Sequence, residues 1–340
     1  MGREFRDTRL NRLAQVPGEI CSEAHPKMKP ALMVGLGEVL WDLLPAGKSM
    51  GGAPANFAYM ANALGDRGVI ASRVGVDPLG EEVYTAMVNF GISTQYLQRD
   101  EKHATGSAEV AIDAAGQPVF TIKEPASWDF LEWTPGWEEL AQLADVVCFG
   151  SLAQRSPVSA ATMDRFLQNS RSDAIRIFDV NLRQSYYTRE ILKRSLQYAD
   201  IVKLTDQELL SVTALTGLDA DGDEERARRL LDEWDLRLVC ITRGSRGSML
   251  VSQNETVEHP GFKVCVVDAV GAGDAFTACL VHYLVRGRPL QEIGEFANRL
   301  ASWVTTQVGA TPSLDRLDVQ NIVTGIGSGE IQPDRDRIGQ

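Results

Sequence analysis

What the 340-residue chain lacks narrows its function before any motif is weighed. Positive charge is in deficit: 34 Lys and Arg against 46 Asp and Glu leave a net charge of -12. Extended contact with phosphate backbones or anionic lipid needs clustered cations, so neither nucleic acid nor a membrane surface is expected as a partner. No apolar run approaches the ~20 residues of a membrane span. No CxxC pair marks a zinc site, and His25, His103, His259 and His282 are scattered without ligand spacing. There is no GxxxxGKS or GxxxxGKT loop. Gly35 and Gly37 supply only part of GxGxxG, because Leu40 stands at the third position, so a dinucleotide-binding unit has little support. Cysteine is scarce and odd in number: Cys21, Cys148, Cys240, Cys265 and Cys279 mostly lie in apolar runs, as the buried thiols of a reducing, cytoplasmic setting do. Residues 1–30 carry Arg3, Arg6, Arg9 and Arg12 among acids and lack the apolar centre of a secretory signal. They read as a disordered extension or an over-long start, and 325–340, Gly-rich and charged, as a flexible tail.

What is present, with 44% hydrophobic residues, is an ordinary globular composition with room for one large core. Continuous apolar runs ending in polar or glycine residues recur in "ALMVGLGEVLWDLL", "ADVVCFGSL", "IRIFDVNLR", "ADIVKLTDQEL" and "LRLVCITRGSRGSMLV". That is the pattern of parallel strands buried on both faces. Helical patterns at 156–169, 189–198, 223–234 and 291–307 separate them, so the expected fold is α/β, a three-layer α/β/α Rossmann-like domain over 31–320. In such a sheet, ligands gather beyond the carboxyl ends of the strands. Residues 104–123 instead alternate apolar and polar around "AAGQP", the mark of a hairpin with one wet face. With 41–49 they are expected to form a small β-sheet lid.

"VVDAVGAGDAFTACL" (266–280) carries the chemistry. Gly271, Ala272 and Gly273 leave backbone N–H groups unobstructed where Phe276, Cys279, Leu280 and Tyr283 begin a helix. Free N–H groups and the positive end of the helix dipole suit an anion with several oxygens. Asp274 beside that anion can take a proton from an attacking hydroxyl. An isolated GxGD reads first as an N-cap. Its company is "GGAPANFAYMANALG" (51–65), in which Gly51 and Gly52 admit a hydroxyl-rich ligand to the backbone and Asn56 can donate and accept; tight helix packing is the alternative. Asp42, in a buried-strand pattern, needs a partner or a ligand, and vicinal sugar hydroxyls would satisfy it.

The two glycine-rich segments, in this order and spacing and with "DVNLR" and "TRGSRG" between them, resemble the signature regions of the ribokinase or PfkB family of carbohydrate kinases over roughly 31–314. The resemblance implies a ribokinase-like core with a β-sheet lid, ATP with Mg2+, and phosphorylation of a primary sugar hydroxyl. It makes Asp274 the catalytic base and Gly271, Ala272 and Gly273 the anion hole, and places Asp42, Gly51, Gly52 and Asn56 on the sugar. Asn181, Lys203, Glu208, Thr242, Gly244, Gly247 and Asn298 fall to the nucleotide, with Glu208 near Mg2+ through water. Strand alternation in "DVNLR" puts Asp179, Asn181 and Arg183 on one face, so that Asn181 and Arg183 reach phosphates; a strand-end salt bridge is the alternative. Thr205 stands where the family's Asn precedes that Glu, and Ala269 where a Thr does. Asp268 and the carbonyl of Val270 are placed to hold K+.

"GEVLWDLLP", the proline after "GGA" and "GSLAQR" look most like fructokinases, which implies fructose as acceptor, with specificity at Thr105, Gly106, Phe120 and Arg155. Ribose, 2-keto-3-deoxygluconate, nucleosides and a non-catalytic sugar-binding paralogue stay open. A homodimer joined through the lid follows from its exposed strand edges.

Overall fold

The computed structural model describes residues 29–44, 47–112, 118–314, 316–325 and 332–333. Strands β1 (Leu32–Leu36), β2 (Leu40–Leu44) and β3 (Gly47–Gly51) lead into α1 (Ala53–Ala63), β4 (Arg67–Gly75), α2 (Pro78–Asn89) and β5 (Leu97–Asp100). The pair β6 (Gly106–Ile112) and β7 (Pro118–Ile122) follows, then α3 (Pro135–Leu143), β8 (Val146–Phe149), α4 (Pro157–Asn169) and β9 (Ile175–Asp179). Next come α5 (Arg189–Tyr198), β10 (Ile201–Thr205), α6 (Asp206–Thr216), α7 (Asp223–Trp234), β11 (Leu238–Thr242), β12 (Ser248–Val251), β13 (Thr256–His259) and β14 (Phe262–Lys263). The chain closes with α8 (Ala272–Leu284), α9 (Leu290–Val304), α10 (Arg316–Thr324) and β15 (Gln332–Pro333).

Nine strands form the central sheet in the order β13-β12-β11-β10-β9-β8-β1-β4-β5. All neighbours from β5 to β11 run parallel, while β12 and β13 close one edge antiparallel. Burial on both faces explains the unbroken apolar runs. Met33, Cys148, Ile177, Ile201 and Cys240 point into the core beneath α1, α2, α8, α9 and α10, whereas Val34, Val147, Phe178, Val202 and Val239 point into the core beneath α3 to α7. Helix starts follow their caps: Asp77, Thr134 and Thr188 accept first-turn amides, and Thr205 with Glu208 forms a capping box on α6.

A second, four-stranded sheet in the order β3-β2-β6-β7 joins the alternating hairpin segment to the strands around 41–49. The β2–β6 pairing that joins them is parallel and spans Leu40↔Gly106 to Leu43↔Glu109, which no local pattern announces. Most of the "AAGQP" turn, the extension 1–28 and most of the tail lie outside the described residues. Within the segment read as a flexible tail, Gln332 and Pro333 pair antiparallel with Lys263 and Phe262, whose strand offers an open edge. Trp128 and Trp137 are fully buried on a 3-10 turn and on α3. Among the described residues no helix is long and apolar enough to cross a membrane. Cys265 is exposed, unlike the buried Cys148, Cys240 and Cys279, because it follows the short β14 into a loop.

Candidate active site

The carboxyl ends of β1, β9 and β10, the start of α8 and the foot of the small sheet meet at one place. Gly271 adopts φ 80 as the N-cap of α8, and a Cβ there would lie 2.6 Å from Ala310, so the turn is open to glycine alone. Ala275 N–H donates to the Gly271 carbonyl. Ahead of it, Ala272 N–H makes a long bond of 3.4 Å to the Ala269 carbonyl, and the amides of Gly273 and Asp274 lack intrahelical acceptors, the arrangement that suits an anion. Beneath Gly273 sits the Lys203 ammonium, 2.8 Å from where a Cβ would stand. Lys203 is 6% exposed and its Nζ donates to both oxygens of Asp179, at 3.1 and 3.2 Å. Thr277 Oγ1 also donates to Asp179, at 2.9 Å. A buried cation thus backs the glycine turn, held by a buried carboxylate that also takes a hydroxyl of α8. Burial lowers the affinity of Lys203 for its proton, but Asp179, Glu208 and Asp274 outweigh that and raise its pKa.

Asp274 lies in the first turn of α8, and Asn56 Nδ2 donates to its Oδ2 at 2.7 Å. Desolvation, the Asp179 charge next, lifts its pKa to about 6, against the pull of Lys203, Asn56 and Arg183. A carboxylate so placed is ionised at neutral pH and basic enough to accept a hydroxyl proton. Asn56 reaches it because α1 begins at the glycine pair. Gly52 has φ 104, and a Cβ there would meet the Glu38 carbonyl at 2.7 Å, while one on Gly51 would meet Asp42 Oδ2 at 2.6 Å. Gly52 is therefore required by its backbone, whereas a side chain at Gly51 would have to displace the Asp42 carboxylate. Asp42 is partly buried, and desolvation raises its pKa despite the Arg183 charge.

Arg183 acts on Asp42, Asp274 and Glu38 together, so these groups surround a common space. β9 ends at Asp179, whose side chain turns inward to Lys203, and Asn181 takes φ 41, so 179, 181 and 183 share no strand face. The exposed Arg183 reaches the site from a loop.

Other expected site residues are engaged within the fold. Glu208 accepts from the amides of Leu182 at 2.7 Å and Thr205 at 2.8 Å, tying the β9 and β10 ends together. Thr105 is 4% exposed; its hydroxyl donates to Asp77 and accepts from Gly75 N–H, an internal joint between β4 and β6. Asn298 donates to Ser248 Oγ and the Gly294 carbonyl, both at 2.7 Å, and braces α9 against β12. Gly247 has φ 76, and a Cβ there would lie 1.9 Å from the His259 carbonyl. Thr242 ends β11 and Gly244 opens the exposed 3-10 turn after it. Arg155 forms a two-pronged pair with Asp129 at 2.8 Å and lies 4.0 Å over the Trp128 ring. Gly106 packs on Trp128, and the Phe120 side chain lies outside the described atoms. Asp268 accepts from Val270 and Gly309 amides, each at 3.0 Å, which draws the two loops together.

Two parts escaped the sequence reading. The Asp179–Lys203–Thr277 cluster needs contacts across 98 residues. Glu38, only 2% exposed, had the same signal as Asp42, an acid inside an apolar strand pattern.

Comparison with known proteins agrees with this arrangement. A model of the pfkB family carbohydrate kinases matches residues 45–317. The fructokinase of Escherichia coli is 30% identical over 300 residues, covering 82% of this chain and 94% of that protein. Among solved structures, a sugar kinase of Pyrococcus horikoshii in complex with ATP superposes with a TM-score of 0.71 at 27% identity, covering 86% of this chain and 99% of the other. A fructokinase of Vibrio cholerae in a fructose, ADP and calcium bound form shares the fold with a TM-score of 0.73 at 24% identity, over 86% and 99% of the two chains. With that match across most of its length, and with a carboxylate in the first turn of the glycine-started α8, the chain belongs to the pfkB family of carbohydrate kinases, enzymes that transfer phosphate to a sugar hydroxyl.

Proposed function

We propose that the protein transfers the γ-phosphoryl of ATP to the primary hydroxyl of a neutral sugar, turning fructose into fructose 6-phosphate. The observation that carries this is Asp274, held by Asn56 at the mouth of the Gly271–Gly273 turn. Asp274 takes the hydroxyl proton as the sugar oxygen bonds to the γ-phosphorus; the bond from that phosphorus to the β–γ bridging oxygen breaks, and ADP leaves. The first-turn amides of α8, backed by Lys203, stabilise the charge spread over the phosphoryl oxygens. Arg183 reaches the same space and completes the positive side.

Fructose, rather than a sugar acid, fits the charges. Asp42, Glu38 and Asp274 share the site with Arg183, whereas the charge of Arg155 is met by Asp129. A substrate carboxylate among these acids would be repelled, which disfavours 2-keto-3-deoxygluconate. The non-catalytic reading is disfavoured by the retention of Asp274 and its glycine turn. The fructokinase relatives support the same acceptor.

The residues fit Mg2+ only as a companion of the nucleotide. Among the described residues no group of three His, Cys, Asp or Glu could hold a metal, so Glu208 would steady it through water. When bound, the ion neutralises phosphate charge. K+ beside Asp268 and Val270 fits through the carboxylate lone pairs that the two amides leave and through backbone carbonyls. The small sheet acts as a lid over the sugar, and a second copy pairing along its edges would give a homodimer. The acidic chain works in the cytoplasm.

ADP release from Mg-ATP with fructose, ribose, 2-keto-3-deoxygluconate, glucose and adenosine tests the reading. Preference for fructose upholds it, preference for another acceptor corrects the substrate, and turnover of none, with ATP still bound, overturns the activity.

A further inference from the structure

We propose that Glu38 is a substrate-contacting residue of the acceptor site, its unpartnered carboxyl oxygen taking a hydroxyl of the neutral sugar. The inference rests on the sugar-kinase reading above and adds a residue that neither glycine motif nor the catalytic turn contains.

Glu38 stands between β1 and β2, where the chain leaves the large sheet for the small one. It is 2% exposed, yet Oε2 has no hydrogen-bond partner among the described residues. Buried polar atoms in folded proteins are nearly always paired, and an orphaned carboxyl oxygen is costly enough to call for a missing partner. Two further orphans belong to neighbouring parts of the site. Asn56 Oδ1 is bare on the side chain whose Nδ2 holds Asp274, and Arg155 Nη1 is bare although Nε and Nη2 are paired with Asp129. The three atoms come from the β1–β2 turn, the first turn of α1 and the 3-10 turn after β8. Two acceptors and one donor left open at the ends of separate elements match a ligand with several hydroxyls, since each hydroxyl both donates and accepts.

The backbone points the same way. Gly52 lies against the Glu38 carbonyl, and Gly51 against the Asp42 carboxylate, so the glycine pair packs on the segment that carries both acids. The Glu38 carboxyl feels Arg183, Asp274 and Arg155, the groups that line the rest of it. Desolvation brings its pKa to about 7, so near neutrality it is shared between a carboxylate, which accepts from a hydroxyl, and a carboxyl, which donates to one. It stands beside Asp274 yet without the Asn56 bond, and so serves acceptor recognition while Asp274 serves proton removal.

The test compares the full chain with its Glu38→Gln and Glu38→Ala variants, measuring KM for fructose, KM for ATP and kcat from about pH 5 to about pH 9. Both variants are expected to raise the fructose KM at least about tenfold while the ATP KM stays within about twofold. The fructose KM of the unaltered chain is expected to change with a midpoint at about 7, a dependence the Gln variant loses. An unchanged fructose KM in both variants, or a parallel rise of the two KM values with loss of the folded state, overturns the proposal. If the unaltered chain prefers another acceptor of the panel, fructose was the wrong substrate, and Glu38 is judged by the same ratio on that acceptor. Should nothing be turned over, calorimetric binding of fructose without nucleotide decides: weakened binding in Glu38→Gln upholds the contact, and equal or absent binding overturns it.

Discussion

The two ends of β1 each bury an acid, and they treat it in opposite ways. Before the strand, Asp66 accepts from the Ala31 amide at 3.0 Å, from His282 and, through both oxygens, from Arg286. Burial pushes its pKa up, yet these hydrogen bonds more than offset that and hold it below the usual carboxylate value. Beyond the strand, Glu38 keeps a bare oxygen and Asp274 a single side-chain donor, and burial drives them up to about 7 and about 6. Desolvation thus meets a full set of donors at one end and leaves incompletely satisfied carboxyls at the other. The satisfied cluster ties α8 to the start of the sheet; the unsatisfied one waits for a ligand.

The largest way to break this comparison is Asp274→Asn. Turnover should fall about 10²- to 10⁴-fold while ATP binding, read by calorimetry, persists. Full activity would move the base elsewhere. At the other end, Asp66→Ala should cost about 3–5 kcal/mol of stability in denaturant unfolding, because His282 and Arg286 lose their buried partner. The folded fraction should keep its KM values; a change in fructose KM with stability intact would show the two ends to be coupled.

Stability against pH sharpens the contrast through its sign. The folded pKa of Asp66 lies below its ordinary 3.8, so its contribution is present above that value and lost as pH falls through the folded one. Asp274 is raised from 3.8 to about 6, so the folded state holds its proton more tightly, and stability drains as pH rises across that window. Asp274→Asn should therefore raise the melting temperature at about pH 8 and change it little at about pH 4. The same ionisation predicts that kcat falls as pH drops through about 6, where the base is protonated. The smallest effect belongs to surface pairs such as Arg228–Glu224 on α7, both more than a third exposed. Arg228→Ala should alter stability by no more than about 0.5 kcal/mol and leave turnover untouched.

Much of this was legible in sequence, and for local reasons. The apolar runs, read as strands buried on both faces, are β1, β8, β9, β10 and β11, and the 189–198 and 223–234 helices match α5 and α7. The Gly271–Asp274 turn was legible because its geometry depends on adjacent residues. Asn181 and Arg183 were placed by strand alternation that stops at Asp179, since a left-handed residue ends the extended chain. Thr105 and Asn298 were recognised as polar residues in the right segments, but whether a polar atom faces a ligand or a neighbour depends on packing from distant parts.

The sequence by itself determined the layered α/β architecture, the two segments of the small sheet, the glycine turn that starts α8 and the acid in its first turn, because periodicity, glycine spacing and capping act within a few residues. Only the tertiary structure decided which buried polar groups were satisfied. It set Lys203 under Gly273, paired Asp179 with Thr277, joined Asp66 to His282 and Arg286, and left Glu38 bare. Hydrogen bonds and desolvation act over a few ångströms of space, and chain order does not fix which residues share it.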